Sequence, residues 1–144
     1  MDNQKLAEQI CRQHLEHMRQ IAHLGQTILA QGEDAVVISL YILERPVFAG
    51  DFIEKLGLTT GRIANILKKL EEKKLITRTS DREDRRRVHV SLTEAGRRHA
   101  EDKYQAMIRV HRELLDRLGA EDTRELMRIL NRLEGFAEDV KPSA

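Results

Sequence analysis

The stretch that decides the fold is residues 58–93, LTTGRIANILKKLEEKKLITRTSDREDRRRVHVSLT. It predicts a helix over 60–73, followed by two antiparallel strands over 75–80 and 87–92 and a charged loop, 81–86, between them. Upstream, residues 49–56 predict a short helix that Gly57 closes. Two short helices joined by a tight turn containing glycine indicate a helix-turn-helix. A hairpin that carries arginines directly after it indicates a wing.

The predicted helix over 60–73 has an apolar face at Ile63, Ile66, Leu67 and Leu70. Its other face suits DNA, because Arg and Asn pair bidentately with base edges and Thr and Lys hold phosphates. Glycine also lets a helix N-terminus approach an anion closely. The alternative is a charged face that is merely solvated. The candidate contacts are Thr59, Thr60, Gly61, Arg62, Asn65, Lys68 and Lys69, of which Thr59 or Thr60 is also expected to cap the helix.

The loop concentrates four arginines within six residues: Arg82, Arg85, Arg86 and Arg87. Neighbouring acidic residues neutralise these charges only in part, and we expect Asp84 to orient Arg86. Wing arginines favour the narrow minor groove, whose negative potential attracts them. A hairpin that is charged only for solubility is the alternative. The predicted DNA contacts from the loop are Arg82, Asp84, Arg85 and Arg86.

Charge along the chain supports a single anionic partner site. Residues 59–99 contain 12 Lys and Arg against 6 Asp and Glu, whereas the other residues contain 13 against 18. The whole chain of 144 residues has a net charge of only +1. A basic block on an acidic frame predicts an anionic partner at one place.

Long amphipathic helices are predicted on both sides of this block, over 6–31, 94–118 and 121–140, with a further apolar helix over 33–44 before Pro46. The apolar stripes of the three long helices are too extensive for one thin lobe to cover. We therefore expect a homodimer that holds two recognition helices about 34 Å apart, one turn of DNA. A monomer with these helices folded back is the alternative. The predicted fold class is mainly α (α+β), a winged helix-turn-helix with long N- and C-terminal dimerisation helices.

Two motifs resemble the MarR family of bacterial transcription regulators. Residues 84–86 match the family's D-x-R wing motif, and SLTEAG at 91–96 follows the second wing strand. The resemblance implies one domain over 1–144, with the winged helix-turn-helix at about 33–98 and dimerisation helices at about 5–31 and 99–140. It implies a repressor that binds a pseudo-palindromic duplex as a homodimer until a signal releases it. One departure is Lys74, which stands where the family usually has glycine and costs about 1 kcal/mol if that turn needs a positive φ.

The resemblance leaves the nature of the signal open. Many family members bind a small aromatic molecule, for which the candidate residues are Met18, Ile21, Tyr41 and His111; ordinary core is the alternative. Cys11 resembles the reactive cysteine of a peroxide-sensing branch, and an inert helical cysteine is its alternative. Cys11 with His14 and His17 makes only a weak metal-binding pattern.

Several functions are not expected from this sequence. It has no glycine-rich phosphate loop, no paired metal ligands and no nucleophile motif, so we predict no catalytic residue, metal or cofactor. A single cysteine and the lack of a long apolar run predict a cytoplasmic protein without membrane attachment. A winged-helix adaptor that binds protein is the alternative from another class, and failure to bind DNA at low salt would favour it.

Overall fold

A computed structural model describes residues 2–20 and 32–136. The chain divides into two compact units, residues 1–107 and 108–144. The described elements are α1 (Asn3–Gln20), α2 (Gly32–Leu43), β1 (Val47–Phe48), α3 (Asp51–Leu56), α4 (Thr60–Glu72), β2 (Ile76–Ser80), β3 (Val88–Leu92), α5 (Glu94–Leu118) and α6 (Ala120–Phe136). The predicted class, mostly helical with a small antiparallel sheet, is confirmed.

The core of the first unit lies between α2, α3, α4 and the sheet. Its largest fully buried side chains are Phe52, Leu70, Ile76, Val36, Val37, Val47 and Val90. The predicted apolar face of α4 is buried at all four positions, 63, 66, 67 and 70. Burying one such side chain contributes about 1.5–3 kcal/mol, so this packing fixes which face of α4 remains exposed.

The sheet has the strand order β1-β3-β2 and is antiparallel throughout. β2 and β3 form the predicted hairpin, with Ile76 opposite Leu92 and Ser80 opposite Val88. β1 was not expected from the sequence. It pairs with β3 through two residues only, Val47 opposite Val90 and Phe48 opposite His89.

Several predicted boundaries differ from the observed ones, and for three of them the reason is a backbone hydrogen bond that belongs to a neighbouring element. β2 starts at Ile76 because the Leu75 N–H donates to the Leu70 carbonyl and completes the end of α4. β3 starts at Val88 because the Arg87 N–H donates to the Asp84 carbonyl within the loop. The short helix starts at Asp51 because the Ala49 N–H extends the sheet by donating to the Val88 carbonyl. The parts of the predicted terminal helices over 21–31 and 137–140 lie outside the described residues.

Lys74 has a φ of +60°. Its N–H donates to the Glu71 carbonyl and that of Leu75 to the Leu70 carbonyl, the pattern of a Schellman cap. This cap needs a left-handed residue at position 74, which is usually glycine. Lysine therefore bears a backbone strain of about 1 kcal/mol at this position.

The helices outside the winged lobe keep large apolar side chains on their surfaces. α6 has no buried residue, and its apolar side chains are 38–55% exposed: Leu126, Met127, Ile129, Leu130, Leu133 and Phe136. Leu6 and Ile10 of α1 are also exposed. Among the described residues, these apolar side chains of the predicted stripes are not buried. Within 2–20 and 32–136, no helix combines the length and apolar character needed to cross a membrane.

Candidate nucleic-acid interface

The first turn of α4 is organised by Thr59. This residue has an extended backbone, and its Oγ1 accepts a hydrogen bond of 3.2 Å from the Arg62 N–H. Of the two threonines that the sequence offered as a cap, the structure selects Thr59. The cap satisfies one free amide and leaves the others of the first turn available to an anion.

The polar face of α4 is exposed along its whole length, at Thr60, Gly61, Arg62, Asn65, Lys68 and Lys69. A Cβ added to Gly61 would meet nothing within 4 Å, so packing inside the chain does not require glycine there. In the part of the chain that the structure describes, no side chain engages those of Arg62, Asn65, Lys68 or Lys69. These groups are available to a partner, and their contact with DNA stays a prediction.

Other cations of the basic block are already paired. The Arg78 guanidinium on β2 holds the Glu71 carboxylate of α4 through two hydrogen bonds of 2.7 and 3.2 Å. This bidentate pair lowers the pKa of Glu71 and raises that of Arg78. The Lys73 ammonium forms a single ion pair with the Glu33 carboxylate of α2. The side chains at the C-terminal end of α4 are thus tied to neighbouring elements, whereas the cations on its exposed polar face have no such partner among the described residues.

The wing loop, residues 81–87, is closed by hydrogen bonds that involve two aspartates. Asp81 Oδ2 accepts from the Asp84 N–H at 3.2 Å, and Asp84 Oδ1 accepts from the Arg86 N–H at 3.0 Å. The Asp81 N–H donates to the Arg87 carbonyl at 2.9 Å. Asp84 therefore orients Arg86 as expected, but through the backbone amide rather than the guanidinium.

The four wing arginines are not equivalent. Arg82, Arg85 and Arg86 are exposed, and none of their guanidinium groups is paired within the described residues. The Arg87 guanidinium carbon instead lies 3.4 Å from the centre of the Phe48 ring. Three wing arginines can therefore reach a partner, whereas Arg87 is held against β1.

Sequence reasoning missed the residues that hold the base of the wing. The His89 ring lies 4.3 Å from that of Phe48, and its Nε2 is 3.0 Å from Asp81 Oδ1. This hydrogen bond lowers the pKa of the Asp81 carboxyl. The two-residue strand β1 has no periodicity to detect, so no sequence signal joined Phe48 to the wing.

The candidate ligand-binding residues are only partly described. The Tyr41 ring lies 5.8 Å from that of Tyr104 and 5.6 Å from the Arg97 guanidinium carbon. The side chain of Met18 and all of Ile21 lie outside the described residues, and His111 lies on α5 in the second unit. The first unit has an open cleft of about 270 Å³ that does not include Tyr41 in its lining, which consists of Leu40, Glu44, Arg45, Pro46, Ser91, Leu92 and Arg97.

Of the alternative sensing residues, Cys11, His14 and His17, only Cys11 has a described side chain. Cys11 is an exposed free cysteine on α1. The side chains of His14 and His17 lie outside the description. Among residues 2–20 and 32–136, the structure holds no group of three or more His, Cys, Asp or Glu side chains suited to a metal ion.

A capped helix with a free polar face, followed by an arginine-bearing hairpin, defines a winged helix-turn-helix protein. Residues 40–87 match the model of the MarR family. This match confirms the resemblance to the MarR family that the sequence predicted.

Comparison with known proteins agrees with this family. The chain is 25% identical over 139 residues to the uncharacterised HTH-type transcriptional regulator YdgJ of Bacillus subtilis, covering 91% of this chain and 85% of YdgJ. Its fold is similar to that of Streptococcus pneumoniae FabT crystallised in complex with DNA (TM-score 0.73, 22% identity, 97% of this chain and 100% of FabT). It is also similar to Streptomyces coelicolor PcaV in complex with its natural ligand (TM-score 0.64, 23% identity, 86% and 92%). MarR-family proteins are transcriptional regulators and not enzymes, as predicted here.

Proposed function

We propose that this protein is a transcriptional repressor that binds a pseudo-palindromic duplex DNA site as a homodimer, and that a small-molecule signal releases it. The observation that carries the proposal is the division of the basic block into two sets of cations. Arg78, Lys73 and Arg87 are held by neighbouring groups. Those on the exposed face of α4 (Arg62, Lys68 and Lys69) and at the wing tip are exposed and free of partners in the described chain.

The α4 helix suits the major groove. Its N-terminal turn carries Arg62 and Asn65 on the exposed face, and these side chains can read guanine and adenine by paired hydrogen bonds. Thr60 and Gly61 lie where the first amides of the helix can approach a phosphate. Lys68 and Lys69 follow one turn later and supply charge to the sugar–phosphate backbone.

The wing suits the adjacent minor groove. Arg82, Arg85 and Arg86 project from a loop whose backbone is already hydrogen-bonded in one conformation. Arginine inserts into narrow, electronegative stretches of the minor groove. The wing therefore adds affinity that depends on groove shape, while α4 adds selectivity for bases.

The homodimer is supported by the apolar surface that a single chain leaves uncovered. Six large apolar side chains of α6 and two of α1 are at least 38% exposed, and apolar side chains grouped on a surface in this way mark sites of protein–protein contact. A second copy of the chain would cover them. It would also set the distance between two α4 helices, which a palindromic site requires.

The proposed signal is a small aromatic molecule. The neighbouring rings of Tyr41 and Tyr104, with the Arg97 guanidinium close by, offer stacking surface and positive charge. The structure of the similar protein PcaV in complex with its natural ligand supports a signal that acts by binding to the protein. As a regulator of DNA, the protein is expected to act in the cytoplasm.

DNA selection followed by fluorescence anisotropy tests the central claim. Duplexes enriched from random sequence should bind with an affinity that falls steeply with salt, because binding releases counterions from phosphates. Arg98→Ala on α5, an exposed arginine outside the proposed interface, is the matched control and should bind like the wild type. Failure of the wild type to bind any duplex at low salt would exclude the proposal and favour a protein-binding adaptor.

Light scattering after size exclusion tests the dimer separately. We expect a species of twice the chain mass of 16.7 kDa at micromolar concentration. A species of 16.7 kDa would contradict the homodimer. Leu130→Glu on α6 places a charge in the proposed interface and should shift the protein toward the monomer.

A further inference from the structure

We propose that Phe48, His89 and Asp81 form a clasp that positions Arg86 for the minor groove, so that the two-residue strand β1 sets the affinity of the wing for DNA. The inference rests on the DNA binding proposed above and goes beyond it. It assigns to these residues a positioning role rather than a contact with DNA. Phe48, the first of them, lies outside the helix-turn-helix and the hairpin.

The clasp is a continuous path of contacts from β1 to the wing tip. Phe48 is paired with His89 in the sheet, and their rings are 4.3 Å apart. His89 Nε2 hydrogen-bonds to Asp81 Oδ1, and the other oxygen of the same carboxylate accepts from the Asp84 N–H. Asp84 in turn accepts from the Arg86 N–H. The backbone of Arg86 is thus connected to β1 through three consecutive hydrogen bonds and one ring contact.

The other end of the wing loop is anchored to the same ring. The Arg87 guanidinium carbon lies 3.4 Å from the Phe48 ring centre, a distance that gives a close cation–π contact. The Arg87 carbonyl also accepts from the Asp81 N–H, which joins the two ends of the loop. Phe48 therefore contacts Arg87 and His89, where the chain enters β3, and Arg87 is used for anchoring rather than for DNA.

Anchoring matters because a single ordered conformation of this loop is energetically unfavourable without contacts outside the loop. Four arginines within six residues repel one another, and such a loop would sample many conformations in the absence of a fixed base. DNA would then have to order the loop on binding, at a cost in conformational entropy. A clasp that orders the loop in the free protein removes that cost and increases affinity without adding a DNA contact.

Only ring-bearing residues can occupy the centre of the clasp. Leucine at position 48 would preserve apolar volume but lack the electron-rich face that attracts the Arg87 guanidinium. Tyrosine keeps that face. Phe48→Leu and Phe48→Tyr are therefore a matched pair in which the first breaks the clasp and the second retains it. His89→Phe is a second substitution that breaks the clasp, since it keeps a ring against Phe48 and removes the hydrogen bond to Asp81.

The first measurement needs no DNA. In ¹⁵N relaxation experiments, the Arg86 amide of the wild type and of Phe48→Tyr should be ordered, with an order parameter of about 0.85. It should fall below about 0.6 in Phe48→Leu and His89→Phe, while amides of α4 remain unchanged. An ordered Arg86 amide in both Phe48→Leu and His89→Phe would overturn the clasp, whether or not the protein binds DNA.

The second measurement separates positioning from contact. Phe48→Leu should weaken DNA binding by about three- to tenfold while leaving the salt dependence of binding unchanged, because no phosphate contact is lost. Arg86→Ala should weaken binding and also reduce the salt slope by about 0.9. Phe48→Tyr should bind like the wild type. Wild-type affinity in Phe48→Leu, or a loss that Phe48→Tyr shares, would overturn the clasp, whereas a wild type that binds no DNA would refute only the proposed function.

Discussion

Gly96 of α5 lies directly against the backbone of Leu75. A Cβ built on Gly96 would stand 1.8 Å from the Leu75 carbonyl oxygen. The same oxygen accepts a hydrogen bond of 3.0 Å from the Thr93 N–H. Thr93 Oγ1 donates to the Lys74 carbonyl and accepts from the Gly96 N–H. The TEAG part of the motif at 91–96 therefore docks the start of α5 onto the turn that precedes the wing.

Gly96→Ala should be strongly destabilising, because backbone atoms cannot yield to the new methyl group as a flexible side chain can. We expect a loss of about 3 kcal/mol or more in the free energy of unfolding, measured by urea denaturation. Gly61→Ala is the control, since a Cβ there meets nothing within 4 Å. If Gly96→Ala unfolds at the same urea concentration as the wild type, the close approach of α5 to Leu75 is wrong.

Lys74→Gly should stabilise the protein by about 1 kcal/mol, because glycine adopts a φ of +60° without steric strain. The same measurement on Lys69→Gly, inside α4, should show a loss of about 1 kcal/mol. Opposite signs at two exposed lysines of one segment would identify backbone conformation as the cause. A destabilised Lys74→Gly variant would show that the turn does not require a left-handed residue.

The Glu71–Arg78 pair should make stability depend on pH in acid. The hydrogen bond from Arg78 lowers the pKa of Glu71 in the folded protein below its ordinary value of 4.5. The pair therefore stabilises the fold fully above the unfolded pKa, and its contribution is lost as the pH falls through the lowered folded pKa. Glu71→Gln should be less stable than the wild type near neutral pH, and the two should converge in strong acid.

The measurement for this pair is a series of urea denaturation curves between pH 7 and pH 2. The control is the same Glu71→Gln substitution made in an Arg78→Gln background. With Arg78 absent, the substitution should change stability by the same amount at every pH. A difference between wild type and Glu71→Gln that does not shrink toward low pH would argue against the pair.

Arg62 and Arg86 should differ in what their loss does to DNA recognition. Arg62→Ala should cost about 1–3 kcal/mol on the preferred site and relax the preference at one base position, since Arg62 is proposed to read a base edge. Arg86→Ala should weaken binding to sites with a narrow minor groove more than to others. Anisotropy on a panel of single-base variants distinguishes the two. An equal loss on every sequence for Arg62→Ala would show that Arg62 is not a base reader.

Much of the winged lobe could be predicted because its signals are local. Hydrophobic spacing placed Ile63, Ile66, Leu67 and Leu70 on the buried face of α4, since a helix repeats every 3.6 residues. The alternation predicted over 75–80 and 87–92, about a loop rich in charge, is sufficient to predict a hairpin. The departure at Lys74 was also visible in the sequence, because the resemblance to the MarR family implies glycine there.

The tertiary structure decided which positively charged side chains of the basic block have no partner within the described chain. Arg87 and Arg86 are adjacent in the sequence and chemically identical, yet the guanidinium of Arg87 lies over Phe48 and that of Arg86 has no partner among the described residues. The difference depends on the pairing of Val47 and Phe48 with β3, across some forty residues of chain. A two-residue strand has no periodic pattern of its own, because its conformation comes from the strand beside it. The sequence by itself therefore determined the type of fold and the residues that could bind DNA, whereas long-range packing decided which of them are free to do so.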